Sequence, residues 1–484
     1  MNAIAFRFIL FSEGYLLLIL SATMMVPMIV DAASGHPDWQ VFAASAAVTG
    51  FVGGALVLAM RGPMPVIGRR TGYLLTASAW CVVGGFGSLP LYFSALDLSF
   101  TDACFETFSG LTTTGSTIIA GLDTLAPGLL LWRSLMNWIG GVGIVVMAIV
   151  MLPGLSVGGM QLFRSESSDI SGKPVARPVE MAALTVGVYV ALSVACALAY
   201  RVAGMNTFDA INHAMATVAT GGFSTKDASI GFYDSLPIEI VSIVFMTAGA
   251  LPLIWYAQIV YRRGRTLTQE RQVPAFLAVL AVAILLATLW NVGANGMDVA
   301  EAVRLSAFNV TSILTDTGFA TADYSAWGSF AVGLFFLLML IGGCAGSTSG
   351  AIKIFRWQIL LVAARRHLRL MLSPHRVVPI RYGERVIDND TLHSVRNFFF
   401  MYLATFAVLS LLVMATGLDF LSGTSAVAQA MANAGPGLGP LVGPAGNFAG
   451  ISDPAKWLLI VGMLLGRLEL STIYVLLLVE YWRS

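Results

Sequence analysis

Four stretches decide the fold: Thr112-Thr113-Thr114-Gly115-Ser116-Thr117, Ala219-Thr220-Gly221-Gly222-Phe223-Ser224-Thr225, Thr315-Asp316-Thr317-Gly318-Phe319-Ala320-Thr321 and Asn433-Ala434-Gly435-Pro436-Gly437-Leu438-Gly439. Each closes a short, moderately apolar segment opening at Thr101-Asp102-Ala103, Phe208-Asp209-Ala210, Ala300-Glu301-Ala302 or Thr424-Ser425. Such a segment falls short of the roughly 20 helical residues that cross a bilayer, yet is too apolar for an ordinary loop, so it reads as re-entrant. Asp102 precedes Gly115 by 13 residues and Asp209 precedes Gly222 by 13, while Gly115, Gly222, Gly318 and Gly435 follow one another at intervals of 107, 96 and 117. Self-similarity at a near-regular period implies one repeated unit: span, half-helix, glycine-bearing strip, span. A Gly/Thr turn after an Asp N-cap explains one copy, but not four in register.

Composition places these units in a membrane. Of 484 residues, 57% are hydrophobic and 11% charged, against about 25% charged in soluble domains; mean hydropathy is +0.81. Ten segments reach spanning length, at about 5–30, 41–61, 73–94, 128–153, 179–203, 237–261, 273–293, 328–362, 394–417 and 455–482. The expected fold is therefore an all-α polytopic membrane protein. An N-terminal helical pair (1–62) precedes four units at 73–153, 179–262, 273–362 and 394–482 around one axis. Phe6–Val30 exceeds a signal-peptide core and lacks a small-residue cleavage site, so it reads as a retained span.

Of the 27 basic residues, only Arg133, Arg201, Lys226, Arg304 and Lys456 fall on one face, and Lys353 and Arg467 lie within spans. The rest cluster in connectors such as Arg61, Arg69 and Arg70, Arg164, Lys173 and Arg177, Arg262 to Arg271, and Arg365 to Arg396. By the positive-inside rule those connectors and both termini are cytoplasmic. The opposite face holds Asp97, Asp102, Glu106, Asp209, Asp227, Asp234, Asp298, Glu301, Asp316 and Asp323 and should attract cations, although exclusion of Lys and Arg accounts for part of this bias. A net charge of +1 excludes a nucleic-acid partner. Cys81, Cys104, Cys196 and Cys344 form no CxxC pair and read as apolar packing residues.

A cation crossing a bilayer needs its hydration shell replaced, and a ring of inward-turned backbone carbonyls can do this where glycine permits the backbone to approach. Half-helices entering from outside aim their partially negative C-termini at such a ring, which favours a cation. A site of carbonyls without fixed carboxylates suits a monovalent ion better than Mg²⁺ or Ca²⁺. Asp316 is the exception, read either as an added charge or as an anchoring side chain turned away from the path.

Six motifs together resemble the Trk/Ktr/HKT superfamily of potassium and sodium transporters, and within it the TrkH-type branch. They are Thr113-Thr114-Gly115-Ser116-Thr117, Asn137-Trp138-Ile139-Gly140-Gly141-Val142-Gly143, Thr220-Gly221-Gly222-Phe223-Ser224-Thr225, Gly342-Gly343-Cys344-Ala345-Gly346-Ser347-Thr348-Ser349-Gly350, Asn433-Ala434-Gly435-Pro436-Gly437 and Gly466-Arg467-Leu468-Glu469. The resemblance covers nearly the whole chain, including the extra N-terminal pair. It implies K⁺ as the transported ion, with Gly115, Gly222, Gly318 and Gly435 as filter glycines. The carbonyls of Thr113 and Thr114, Thr220 and Gly221, Asp316 and Thr317, and Asn433 and Ala434 would line the path. Glycine in the first strip goes with potassium in this superfamily, and serine with sodium. The fourth strip departs from the Gly-Phe-Ser/Ala-Thr form, and no strip carries TVGYG, so selectivity against sodium is expected but need not be complete. Also implied are a homodimer, a bacterial inner-membrane location and a cytosolic nucleotide-binding TrkA-like regulatory subunit. That subunit would dock on the basic loops, which could equally bind anionic membrane lipid. No organic cofactor is expected.

The run from Gly342 to Gly350 falls where a lipid-facing helix cannot be so polar, and irregular backbone at that depth marks a transport path. By resemblance, Gly342, Gly343, Gly346, Ser347, Thr348, Ser349 and Gly350 form an intramembrane gate, with Arg467 a positive barrier below the filter. Lys353 either joins the gate or snorkels to the cytoplasm. Gly140 to Gly143 suit close helix packing, and His213 reads as a packing or hydrogen-bonding residue rather than a pH sensor. Enzyme motifs are missing: no HExxH, Gly-x-Ser-x-Gly or phosphate-binding glycine loop occurs. The competing function is a cation-coupled secondary transporter, which requires inverted repeats and midplane carboxylates rather than four parallel units.

Overall fold

The computed structural model describes residues 3–62, 68–150, 178–262, 271–382 and 385–483, so the connector residues Arg164, Lys173, Arg177, Arg263 and Arg265 and the end of the 128–153 segment lie outside them. Within that range the regular structure is helical apart from two pairs of two-residue strands. Seven helices are long and apolar enough to cross a membrane: Ile4–Ser34, Trp39–Ala59, Arg69–Tyr92, Pro127–Met147, Glu180–Val202, Gln272–Gly293 and Asn389–Met414. They occupy seven of the ten expected segments.

The other three expected spans are broken, each for a local reason. Leu236–Ala250 stops ahead of Pro252, which cannot donate to the helical ladder, and Leu253–Arg262 resumes beyond it. Ser329–Leu338 runs into Ile341–Gly342, which pairs in parallel with Ile352–Lys353 before Ile354–Leu372 begins. That pairing pinches off the glycine-rich run as a loop, because so many glycines and hydroxyl side chains favour non-helical backbone. Asp453–Arg467 and Leu470–Leu477 meet at a 112° bend, where Glu469 takes a left-handed φ of 59°.

Burial separates inner helices from outer ones. In Pro127–Met147, 61% of the apolar stretch is buried in protein, against 28% in Ile4–Ser34 and in Glu180–Val202, so the first lies at the centre and the others face outward. The largest core cluster joins the N-terminal pair to the first and fourth units through Met24, Phe42, Trp132, Tyr402 and Met463. Tyr189, Tyr200 and Met246 centre a second cluster, and Phe276, Val310 and Phe335 a third. The N-terminal pair docks through Asp31, whose carboxylate accepts the Gly128 N–H at 2.6 Å where the helix Pro127–Val150 starts.

Helices Ala3–Ser34 and Trp39–Ala59 cross at Gly14 and Gly53. A Cβ on either glycine would lie 2.9 Å from the other's carbonyl oxygen. Gly53→Leu should therefore push the pair apart and cost about 1–3 kcal/mol, read as a lower melting temperature of the detergent-solubilised protein.

Candidate functional site

Each half-helix starts with a side-chain cap and ends in one repeated turn. The helices are Phe100–Leu111, Thr207–Val218, Val299–Leu314 and Phe420–Ala432, capped by Ser99, Asn206, Asp298 and Asp419. The Asp419 carboxyl, outside the spans, is held below the usual carboxylate range by its hydrogen bonds to Ser422. At the other end, Thr113, Thr220, Asp316 and Asn433 take left-handed φ of 56°, 51°, 59° and 59°. The next N–H reaches back to the carbonyl five residues earlier: Thr114 to Ser109, Gly221 to Ala216 and Thr317 to Ser312 at 2.8 Å, and Ala434 to Gln429 at 3.0 Å. This is the Schellman geometry with a non-glycine residue in its left-handed position, four times over. Left-handed backbone at a non-glycine residue costs about 1 kcal/mol or more and concentrates at functional sites.

Two residues past each left-handed residue stands the glycine, again at positive φ: Gly115 82°, Gly222 68°, Gly318 89° and Gly435 90°. A Cβ on Gly115 would sit 2.3 Å from the Gly221 carbonyl oxygen, one on Gly222 2.0 Å from that of Thr317, and one on Gly318 2.6 Å from that of Ala434. One on Gly435 would sit 3.1 Å from that of Thr114. The contacts run from first strip to second, third, fourth and back to first, so the four glycines encircle a common centre. An outer mouth is lined by all four, together with Arg133, Lys226 and Asp227.

Side chains hold the strips from behind. Nine residues before their glycines, Glu106, His213 and Asn309 each tie down the outgoing strip of their own unit. Glu106 accepts the Ile118 N–H at 2.9 Å, His213 Nε2 lies 2.9 Å from Ser224 Oγ, and Asn309 donates to Thr321 Oγ1 at 2.9 Å. Arg133 binds Glu106 at 2.7 Å, donates to the Ser224 carbonyl at 2.9 Å and lies over the Phe223 ring, clamping strip one to strip two. Ser116 Oγ closes the ring 2.8 Å from the Gly435 carbonyl. In the Asn137 to Gly143 motif, Asn137 packs against Gly221, Gly140 against the Leu111 carbonyl and Gly141 against Ala219.

The loop from Gly342 to Gly350 lies directly beneath. Thr348 Oγ1 is 3.0 Å from the Val218 and Gly249 carbonyls, and the Ala351 N–H donates to the Ala432 carbonyl at 2.9 Å. The loop thus occupies the C-terminal ends of the second and fourth half-helices. Ser349 donates to Asp316 in the third strip. The broken span supplies the loop's other partners: Cys344 N–H reaches the Ala250 carbonyl at 2.9 Å and Leu253 N–H the Gly346 carbonyl at 3.0 Å. Arg467 donates to the Thr348 carbonyl at 2.8 Å and to the Gly140 carbonyl at 3.4 Å. A small inner cavity lies against Ser349, Lys353, Arg356, Tyr402, Arg467 and Glu469.

The family model described as TrkH, cation transport protein, matches residues 38–482. The chain belongs to the TrkH family. Relatives include the Trk system potassium uptake protein TrkI of Halomonas elongata, 42% identical over 96% of this chain and 95% of that protein. The Trk system potassium uptake protein TrkH of Escherichia coli K12 is 37% identical over 99% of this chain and 100% of its own length. The crystal structure of the potassium transporter TrkH from Vibrio parahaemolyticus superposes with a TM-score of 0.91 at 35% identity, covering 99% of this chain and 100% of that one. The chain is thus a multi-pass membrane transport protein and not an enzyme.

Several placements within the chain escaped the sequence. Arg133 is not a surface cation but half of a buried ion pair. Arg356, expected among the cytoplasmic positives, is buried, pairs with Glu469 at 2.6 Å and lies over the Phe398 ring. Lys353 does not snorkel; its ammonium donates to the Ser349 carbonyl. Asp316 turns its carboxylate onto Ser349 of the loop below its strip, and His213 is buried with both ring nitrogens engaged. A polar residue at one fixed offset before each of three glycines is the signal that could have found the tethers. Among the described residues no group of three His, Cys, Asp or Glu side chains could hold a metal ion. Arg133→Ala leaves Glu106 buried without its partner and should cost about 3–5 kcal/mol, measured as loss of thermal stability, with Glu106→Gln milder.

Proposed function

We propose that the chain carries potassium into a bacterial cell across the inner membrane, through a filter made of the Thr113–Gly115, Thr220–Gly222, Asp316–Gly318 and Asn433–Gly435 backbones. The observation that carries this is the closed cycle of glycine-to-carbonyl contacts, in which each Cα meets an oxygen of the next strip. Such a ring presents main-chain oxygens to one axis, as replacement of an alkali ion's water requires. The potassium uptake named for the TrkI and TrkH relatives points to the same cargo. K⁺ is cargo here, held by carbonyls rather than by a side-chain metal site. Inward movement is favoured by the membrane potential, worth about 2.3 kcal/mol per charge at 100 mV.

The ten apolar segments form four units around this path plus the N-terminal pair, with both termini in the cytoplasm. The Gly342–Gly350 loop, with Lys353 and Arg467, is the gate. Its support is position: it fills the space below the strips and is bonded to three of the four units' inner ends. Opening requires the loop to withdraw toward the inner cavity. The transporter works as a homodimer under a cytosolic nucleotide-binding TrkA-like subunit that acts on the basic cytoplasmic face.

The test is rubidium against sodium entry in a potassium-uptake-deficient bacterium expressing the chain alone and with a TrkA-like subunit. Rubidium entry above the empty-vector level is expected in at least one condition, and none in either overturns the proposal. Gly222→Ala places a methyl on the Thr317 carbonyl and should cut rubidium entry by about tenfold or more, a lost coordination worth at least about 1.4 kcal/mol. Gly115→Ser should raise sodium entry relative to rubidium.

A further inference from the structure

Of the four residues that end the half-helices in left-handed backbone, Thr113, Thr220, Asp316 and Asn433, one carries a charge. The turn does not need a carboxylate, since threonine and asparagine make the same turn in the other units. The Asp316 side chain instead leaves the filter downward. Its Oδ2 accepts the Ser349 hydroxyl and lies 3.2 Å from where a Cβ on Gly342 would be, so both ends of the loop close around it. Ser349 is held from the other side as well: its Oγ accepts the Gly343 N–H at 2.8 Å, and its carbonyl accepts the Lys353 ammonium. The second carboxylate oxygen, Oδ1, is buried and has no hydrogen-bond partner.

Resting on the potassium proposal, we propose that Asp316 couples cation occupancy of the third strip to the position of the loop. With the loop in place, Ser349 satisfies the carboxylate. When the loop withdraws, the carboxylate loses that donor, and a bare charge in a dry interior is costly. A cation held by the carbonyls of its own strip then adds to the two fixed charges already beside it, Lys353 and Arg467, and lowers its energy further. A cation in the filter therefore favours the withdrawn loop, and a withdrawn loop binds the cation more tightly, because coupling between two sites is reciprocal. Asp316 is a positioning residue in this scheme, competed for by the gate below and the ion above.

The experiment is rubidium influx into proteoliposomes of the full-length protein, reading the half-saturating rubidium concentration. Ser349→Ala removes the loop's hold and should lower that concentration by about tenfold, the size of one hydrogen bond to a charged group. Combining it with Asp316→Asn should return the concentration to near the wild-type value, while Ser349→Thr, which keeps the hydroxyl, should resemble wild type throughout. A loop contact that merely stabilised the fold would change melting temperature without this dependence on Asp316. Wild-type flux with an unshifted Ser349→Ala value, or with the same shift after Asp316→Asn, overturns the coupling alone. Absence of rubidium flux in the wild-type protein overturns the potassium proposal, and the coupling with it.

Discussion

Four α-carbons without side chains, each pressed against a carbonyl oxygen of the neighbouring strip, set the distances on which the rest of the molecule depends. At Gly222 the next strip's oxygen already fills the place of a Cβ, 2.0 Å away. No other residue type permits both that approach and the positive φ. Because the contact passes around all four strips, displacing one displaces its neighbours. The ring is a mutually wedged set rather than four separate turns.

Such a ring is expensive to hold. Four non-glycine residues sit in left-handed backbone just before it, each costing about 1 kcal/mol or more, and the strips lack a sheet or helix to satisfy them. The offsetting interactions come from behind. Schellman bonds fix each half-helix end, and Glu106, His213 and Asn309 tie the outgoing chain. Arg133 joins two strips through a buried pair whose members are also hydrogen-bonded, the condition under which a buried pair offsets its own desolvation. The fourth unit has Ala426 where the others have a polar tether, and Ser425 instead bonds the Leu438 N–H at 2.9 Å.

The three broken spans share one consequence. Breaking a helix in a membrane exposes carbonyls and N–H groups that must find partners, and here they find one another. The break at Pro252 offers the Ala250 and Gly249 carbonyls to the loop, and the bend at Glu469 brings that carboxylate to Arg356 and Arg467 to Thr348. The loop is therefore held by hydrogen bonds that the two neighbouring breaks supply.

Hydrophobic runs, the distribution of Lys and Arg, and four glycine strips at matching offsets pointed to the membrane class and to the four glycines that the structure brings together. These features are set by local backbone chemistry and by bilayer thickness, both of which act along the chain. Partnerships between residues distant in sequence belong to the tertiary structure alone: Arg133 with Glu106 in its own unit and Ser224 in the next, Arg356 with Glu469 across 113 residues, and Asp316 with Ser349 across 33. Lys353 and Arg356 read as cytoplasmic or ambiguous charges because charge in a sequence carries no direction. Whether such a side chain faces water, lipid or a carboxylate is fixed only when distant helices pack, since desolvation and pairing depend on what fills the space around it.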